Sequence, residues 1–175
     1  MQGLVQAVLA RKVFMHLLFP TCVVLLLASV AFQASAQERY TPSSDGDEIN
    51  DAKTGLIWRR CAEGMSWKKS TCAGKAVFAN QAQAAALAKA QATKDEGWRL
   101  PTLKELNSIL SVRDVDVGKA AIDPNAFPAT PIARYWTSTT VGPSYYMVVG
   151  FGEGHSGEGE RNSPGATRLV RSTKP

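Results

Sequence analysis

The block from Trp98 to Glu105 constrains the fold of this sequence more than any other feature. Thr102 and Glu105 have the Thr-x-x-Glu spacing of a capping box, in which two side chains satisfy free backbone N–H groups at a helix N-terminus. The block therefore predicts that a helix begins directly after Pro101. Apolar residues then recur at helical spacing and predict a buried helix face: Leu103, Leu106, Ile109 and Leu110.

Arg99 lies between two residues of this block, Trp98 and Leu100, that are expected to enter the core. Its side chain is expected to point the other way or to form an ion pair that orients the turn. A role in ligand binding is the alternative.

The N-terminus has the layout of a secretory signal peptide. Arg11 and Lys12 precede an apolar run over residues 13–32, and Ala34-Ser35-Ala36 follows as a cleavage sequence. Pro20 divides the run, and the part after it is shorter than the roughly 20 apolar residues that span a membrane. We predict a signal peptide over residues 1–36 and no membrane span after its removal. An uncleaved N-terminal anchor is the alternative.

Residues 37–44 are predicted to be a short linker and residues 45–175 a single domain. Without residues 1–36, the chain has 18 Lys and Arg against 15 Asp and Glu, a net charge of +3. Such a weak charge, with no Lys or Arg run longer than two, argues against nucleic acid as a partner. It remains compatible with an anionic polysaccharide, because scattered basic residues can gather on one face.

Cys61 and Cys72 are expected to form a local disulfide, because the exported chain reaches an oxidising compartment. A redox-active role would favour a Cys-x-x-Cys spacing, which is absent here.

The remaining pattern predicts a mixed α+β domain. Ile49 and residues 56–58 are expected to form a hairpin, and residues 77–93 a helix whose apolar side carries Phe78, Ala82, Ala85 and Ala86. A long irregular loop over residues 111–134 is expected to be anchored by Phe127. Strands are predicted at 135–139, 145–151 and 167–171, with residues 152–165 as a flexible, glycine-rich hairpin tip.

No catalytic or metal-binding constellation is found in this sequence. His155 is the one histidine after residue 36, and it has no partners at the spacing of a catalytic triad or a two-histidine metal site. The nearby glutamates and the early Asp and Asn residues are expected to be solvated turn residues. We therefore predict neither an enzyme, nor a metal site, nor a cofactor.

The motifs, taken in order, resemble the Lcl C-terminal domain family, which is named for a Legionella collagen-like adhesin. The matching motifs, spread over residues 45–172, are Asp51-x-x-Thr54-Gly55-Leu56-x-Trp58-x-Arg60-Cys61, Gly97-Trp98-Arg99-Leu100-Pro101-Thr102-x-x-Glu105-Leu106, Phe127-Pro128-x-Thr130, Tyr135-Trp136-Thr137-Ser138 and Arg168-Leu169-Val170-Arg171. The resemblance implies a C-type-lectin-like fold, in which two helices pack on small antiparallel sheets, the N- and C-terminal strands are adjacent, and a long loop region is irregular. Within these motifs Trp58, Trp98, Arg99, Leu100, Pro101, Glu105 and Trp136 are assigned structural roles.

The resemblance also implies adhesion through sulfated polysaccharides. We therefore expect an exported, non-catalytic recognition domain, periplasmic or at the cell surface, that binds an anionic polysaccharide or an envelope protein. The alternatives are a structural or assembly component of the cell envelope or an appendage, and, less favoured, an enzyme related to formylglycine-generating enzymes. The candidate contacts lie on or beside the late strands and loops: Arg134, Tyr145, Tyr146, His155 and Arg161.

Overall fold

A computed structural model describes residues 38–92, 97–111 and 118–173. The signal peptide predicted for residues 1–36 lies outside these residues. The elements in chain order are β1 (Tyr40–Pro42), β2 (Glu48–Asp51), β3 (Leu56–Arg59), β4 (Met65–Lys68), β5 (Thr71–Gly74), α1 (Gln81–Ala92), α2 (Leu103–Ser108), β6 (Arg134–Thr140), β7 (Tyr145–Gly150), β8 (His155–Glu160) and β9 (Val170–Ser172).

The first sheet joins the two ends of the domain in the order β1-β2-β3-β9. The hairpin predicted around Ile49 and residues 56–58 is confirmed as β2 and β3, with Ile49 opposite Trp58. Its turn closes through the N–H of Gly55, which donates to the carbonyl of Asp51 at 2.8 Å. Strand β1 falls inside the stretch predicted as a linker and pairs along β2.

The second large sheet has the order β6-β7-β8 and corrects the prediction for residues 152–165. The predicted flexible tip is wrong, because His155–Glu160 forms a regular antiparallel strand against β7. Two of its glycines make room for the buried ring of Trp136. A Cβ atom on Gly159 would lie 3.1 Å from that ring, and one on Gly165 would lie 2.7 Å from its Nε1. These glycines therefore serve packing rather than flexibility.

The helices confirm one prediction and correct another. The capping box of α2 is present, with the Glu105 N–H donating to Thr102 Oγ1 and the Thr102 N–H donating to Glu105 Oε2. Helix α1 begins later than predicted, at Gln81.

The predicted apolar face of α1 is confirmed at Ala85, which packs against the core, and is wrong at Phe78, Ala82 and Ala86, which are exposed. The helix buries Gln81, Ala84 and Ala88, whereas Phe78 is 54% exposed and precedes the helix. Because alanine occupies most positions of α1, the sequence contains no apolar stripe, and contacts with the rest of the domain select the buried face.

Two apolar clusters form the core. One contains Trp58, Leu106 and Phe127, and the other contains Trp98, Leu100 and Trp136. The predicted anchor of the long loop is confirmed, because Phe127 is 1% exposed. The mixed α+β class with two helices and small antiparallel sheets is confirmed as well. No helix among residues 38–92, 97–111 and 118–173 is long and apolar enough to cross a membrane.

Candidate functional site

The structure divides the five predicted contact residues between the two ends of one sheet. Arg134 and His155 both pair with Gly150 at one end, whereas Tyr145 pairs with Glu160 at the other end. The two groups are five residue steps apart along β7, or about 17 Å at 3.3 Å per residue. They do not form one site.

Arg134 and His155 are exposed and weakly held. Arg134 Nε lies 3.5 Å from Glu153 Oε1, and both side chains are about half exposed. His155 Nδ1 lies 3.2 Å from the carbonyl oxygen of Glu153. The carboxylate of Glu153 partly neutralises this end of the sheet, which makes it a poor anion site.

Tyr145, Tyr146 and Arg161 share the other end of the sheet but do not share one surface. Successive residues of a strand point to opposite faces, so the exposed ring of Tyr145 and the half-buried ring of Tyr146 diverge. The Arg161 side chain donates to the carbonyl of Pro143 at 3.2 Å, and the Arg161 carbonyl accepts from the N–H of Gln81 at 3.0 Å. Tyr146 instead lines a cleft beside α1.

The residues assigned structural roles lie in or around the core. Trp58, Trp98 and Trp136 are at most 1% exposed, and Leu100 and Pro101 are buried. Arg99 makes a bidentate ion pair with Glu105 at 2.7 and 2.8 Å. These hydrogen bonds, with those from Thr102, hold the pKa of Glu105 below its ordinary value. The Trp98 ring lies 4.5 Å from the guanidinium of Arg59 and 5.1 Å from that of Arg171.

Most arginines of the described chain are used inside the fold. Four of them pair with carboxylates through short contacts: Arg39 with Asp51, Arg59 with Asp47, Arg99 with Glu105 and Arg171 with Glu48. Arg168 is 1% exposed and donates to the carbonyls of Arg59 and Arg60 and to Thr130 Oγ1. Burial lowers the pKa of Arg168, yet a guanidinium stays charged in proteins. These cations therefore hold the domain together.

The cations of strands β4 and β5 are arranged differently. We name residues 65–75 the lysine hairpin, because Lys68, Lys69 and Lys75 are all exposed on it. None of the three side chains has an ion pair or hydrogen bond to a residue in the described ranges. In β4 the exposed Ser66 and Lys68 alternate with the half-buried Met65 and Trp67, so one face of the hairpin is open to solvent.

Three contacts fix the lysine hairpin to the rest of the domain. The predicted disulfide between Cys61 and Cys72 is confirmed, with the Cα atoms 5.4 Å apart. The ring of Trp67 lies 4.0 Å from the guanidinium of Arg60, which also donates to the carbonyls of Ala126 and Asn125. At the base, the Val77 N–H donates to the carbonyl of Glu63 at 2.8 Å. The open face is thus presented in a fixed orientation.

The sequence contained a signal for this surface that site prediction missed. No Asp or Glu occurs between Gly64 and Lys94, a stretch that carries five lysines. A net charge summed over the whole domain hides this asymmetry, because the acidic residues lie before and after the stretch.

The described carboxylates do not gather into a site. No group of three or more His, Cys, Asp or Glu residues that could hold a metal ion occurs within the described ranges. Burial raises the pKa of Glu63 at the base of the lysine hairpin. Asp51 is buried as well, but hydrogen bonds from Arg39 and Thr54 outweigh that burial and lower its pKa. The Asp51 carboxylate is held by these side-chain hydrogen bonds, whereas Glu63 is fixed by backbone hydrogen bonds with Thr167 and Val77.

The comparison with protein families finds a match that covers most of the chain. A model of the Lcl C-terminal domain matches residues 47–171, well over half of the chain. The chain belongs to the Lcl C-terminal domain family. The match includes both large sheets apart from β1 and the last residue of β9, and it covers the whole lysine hairpin. Membership in this adhesin-related family and the disulfide fit an exported protein. No curated protein matches the chain.

Proposed function

We propose that this protein is an exported, non-catalytic recognition domain that binds an anionic, sulfated polysaccharide through the lysine hairpin. It acts in the periplasm or at the cell surface, in an adhesin-like role. Its fold is the C-type-lectin-like arrangement, and the pairing of β9 with β3, which brings early and late strands of the described domain together, supports this assignment.

One observation carries the proposal: the hairpin lysines face solvent without a carboxylate partner among the described residues. An ammonium group that is already paired gains little from a second anion, whereas an unpaired one offers its full charge to a ligand. The exposed hydroxyls of Ser66, Ser70 and Thr71 lie on the same hairpin and can donate hydrogen bonds to sulfate oxygens.

The order of the hairpin supports the same proposal. A polymer that binds a mobile loop must first order it, and this ordering weakens the affinity. Because the disulfide and the contact between Trp67 and Arg60 already fix the hairpin, its lysines bind without that cost.

Binding of the purified, oxidised protein to immobilised dextran sulfate tests the proposal, with uncharged dextran as the control. We expect binding at low salt that falls steeply as NaCl approaches 1 M, where the Debye length is only about 3 Å. A chelator should leave the binding unchanged, because no calcium site is proposed. Binding that survives high salt, binding that a chelator removes, or no binding at all would contradict the proposal.

A second candidate is a structural or assembly role in the cell envelope. Val77 and Phe78 are 43% and 54% exposed next to each other at the base of the hairpin. Adjacent exposed apolar side chains favour a contact with protein. Sedimentation velocity on the native protein and on Phe78→Ser tests this candidate: self-association that the substitution removes would support it.

A further inference from the structure

A cleft beside α1 has a ligand-binding character that is separate from the lysine hairpin. It has a volume of about 610 Å³ and lies between α1 and the segment 98–102, with strands β6 and β7 contributing one residue each. The lining residues are Gln81, Ala85, Ala88, Lys89, Trp98, Arg99, Leu100, Thr102, Ser138 and Tyr146.

The lining of the cleft is positively charged. It contains the cations Lys89 and Arg99, and no carboxylate belongs to it among the described residues. Lys89 is exposed and has no ion pair within the described ranges. Arg99 is held by Glu105, so its position is fixed while part of its charge is compensated. Lys89 is therefore the residue best placed to meet an anionic group.

The cleft also combines apolar surface with polar groups. Ala85, Ala88 and Leu100 are apolar, whereas Ser138 and Tyr146 supply hydroxyls. Sugar rings have the same mixed character, with C–H faces that pack on apolar and aromatic surface and hydroxyls that form hydrogen bonds.

Trp98 adds buried aromatic surface to this lining. Its side chain is 1% exposed, and its Nε1 has no hydrogen-bond partner among the described residues. The Nε1 atom of Trp58 is unpaired in the same way, and neither atom has accessible surface that an acceptor in the cleft could reach, so Trp98 contributes packing rather than a hydrogen-bond donor.

The walls of the cleft are fixed by backbone hydrogen bonds. The N–H of Ser138 donates to the carbonyl of Pro101 at 2.8 Å, and Arg99 and Val170 exchange two backbone hydrogen bonds of 3.0 Å. The cleft is therefore formed before any ligand arrives, as small-molecule sites usually are.

We infer that this cleft binds a single pyranose unit that carries one anionic group, a carboxylate or a sulfate. Lys89 meets the anionic group, and the hydroxyls of Ser138 and Tyr146 meet the ring. The choice of a sugar as the ligand rests on the proposed function. The cleft would be a second subsite that binds one sugar unit, whereas the lysine hairpin attracts the charged polymer.

An NMR titration of the ¹⁵N-labelled protein tests the inference, with glucuronate and glucose 6-sulfate as probes and glucose as the uncharged control. We expect both anionic sugars to shift the Trp98 indole N–H and the amides of Lys89, Ser138 and Tyr146, while the amides of the lysine hairpin stay in place. Glucose is expected to bind more weakly.

Variants separate this cleft from the hairpin. Lys89→Gln should weaken glucuronate binding about fivefold, the scale of an ion pair of roughly 1 kcal/mol. Lys104→Gln changes another exposed lysine, which lies outside the cleft, and should not alter this binding. Ala85→Leu fills the cleft and should remove the shifts while leaving dextran sulfate binding intact.

Shifts confined to the lysine hairpin, an equal response to glucose, or an unchanged affinity in Lys89→Gln would overturn the inference. Loss of dextran sulfate binding in variants of the lysine hairpin bears only on the proposed function, so the two failures are distinguishable.

Discussion

Positive charge is used in opposite ways by the lysines of the lysine hairpin and by the buried and ion-paired arginines of the rest of the described domain, which we call the domain body. In the domain body, Arg168 is buried and its guanidinium is held by two carbonyls and a hydroxyl, and Arg39 is bound to a buried carboxylate. In the lysine hairpin, Lys68 and Lys69 extend into solvent without such partners. The net charge of the domain therefore says little about its function. The cations that the fold leaves without an ion pair or hydrogen bond are more informative about binding.

The largest expected effect is that of Arg168→Met in the domain body. This change removes the guanidinium that donates hydrogen bonds to Thr130 Oγ1 and to the carbonyls of Arg59 and Arg60. Buried acceptors that lose their donor lower the stability of the folded state. We expect a loss of about 3 kcal/mol or more in the free energy of unfolding, measured by urea titration.

Arg161→Met is the matched control, because Arg161 is exposed and, among the described residues, its side chain makes a hydrogen bond only to the carbonyl of Pro143. It should change the free energy of unfolding by less than about 0.5 kcal/mol. If both substitutions changed the free energy of unfolding equally, the proposed distinction between structural arginines and exposed, weakly held cations would be wrong.

The next largest effect is expected at the link between the two regions. The pair Cys61→Ala and Cys72→Ala opens a loop of sequence separation 11 and should cost about 2 to 3 kcal/mol by the chain-entropy model. Hydrogen exchange of the native state should speed up most in the amides of β4 and β5. Uniform acceleration, with β6 and β7 affected to the same extent, would show that the disulfide supports the domain body instead.

A smaller effect, with a defined pH dependence, is expected for Asp51→Asn. The pKa of Asp51 is lowered in the fold, so its stabilising contribution is present above the ordinary carboxyl pKa and is lost as the pH falls through the folded-state pKa. We expect a loss of about 2 kcal/mol at neutral pH that shrinks in acid.

Urea titrations at pH 7 and pH 3 measure this change, with Glu158→Gln as the control because Glu158 is exposed on β8. A loss of the same size at both pH values would show that the ion pair with Arg39 is not its cause.

Those parts of the fold that depend on local signals were predictable from the sequence. The capping box at Thr102 and Glu105 has a local cause, and so does the turn at Gly55, where a positive φ of 68° favours glycine. The Cys61–Cys72 disulfide joins residues close in sequence, and the oxidising compartment expected for the chain was enough to predict it.

The elements that were missed have tertiary causes. Strand β8 contains Gly157 and Gly159, and glycine disfavours strands, but pairing with β7 and the space needed by Trp136 override that preference. The face of α1 could not be read from a run of alanines.

The grouping of the site residues also has a tertiary cause. Tyr146 and Lys89 are far apart in sequence, and the packing of α1 beside β6 and β7 brings both into the lining of one cleft.

The most direct test of the central claim compares two double variants that remove equal charge. Lys68→Gln/Lys69→Gln alters the lysine hairpin, and Lys53→Gln/Lys104→Gln alters two exposed lysines of the domain body. For each we would measure the dependence of dextran sulfate affinity on NaCl concentration, together with the free energy of unfolding. We expect a clearly shallower salt dependence and weaker binding for the hairpin variant, native-like binding for the other, and unchanged stability for both. Equal losses of binding in the two variants would mean that net charge, rather than the lysine hairpin, attracts the polymer, and would contradict the account.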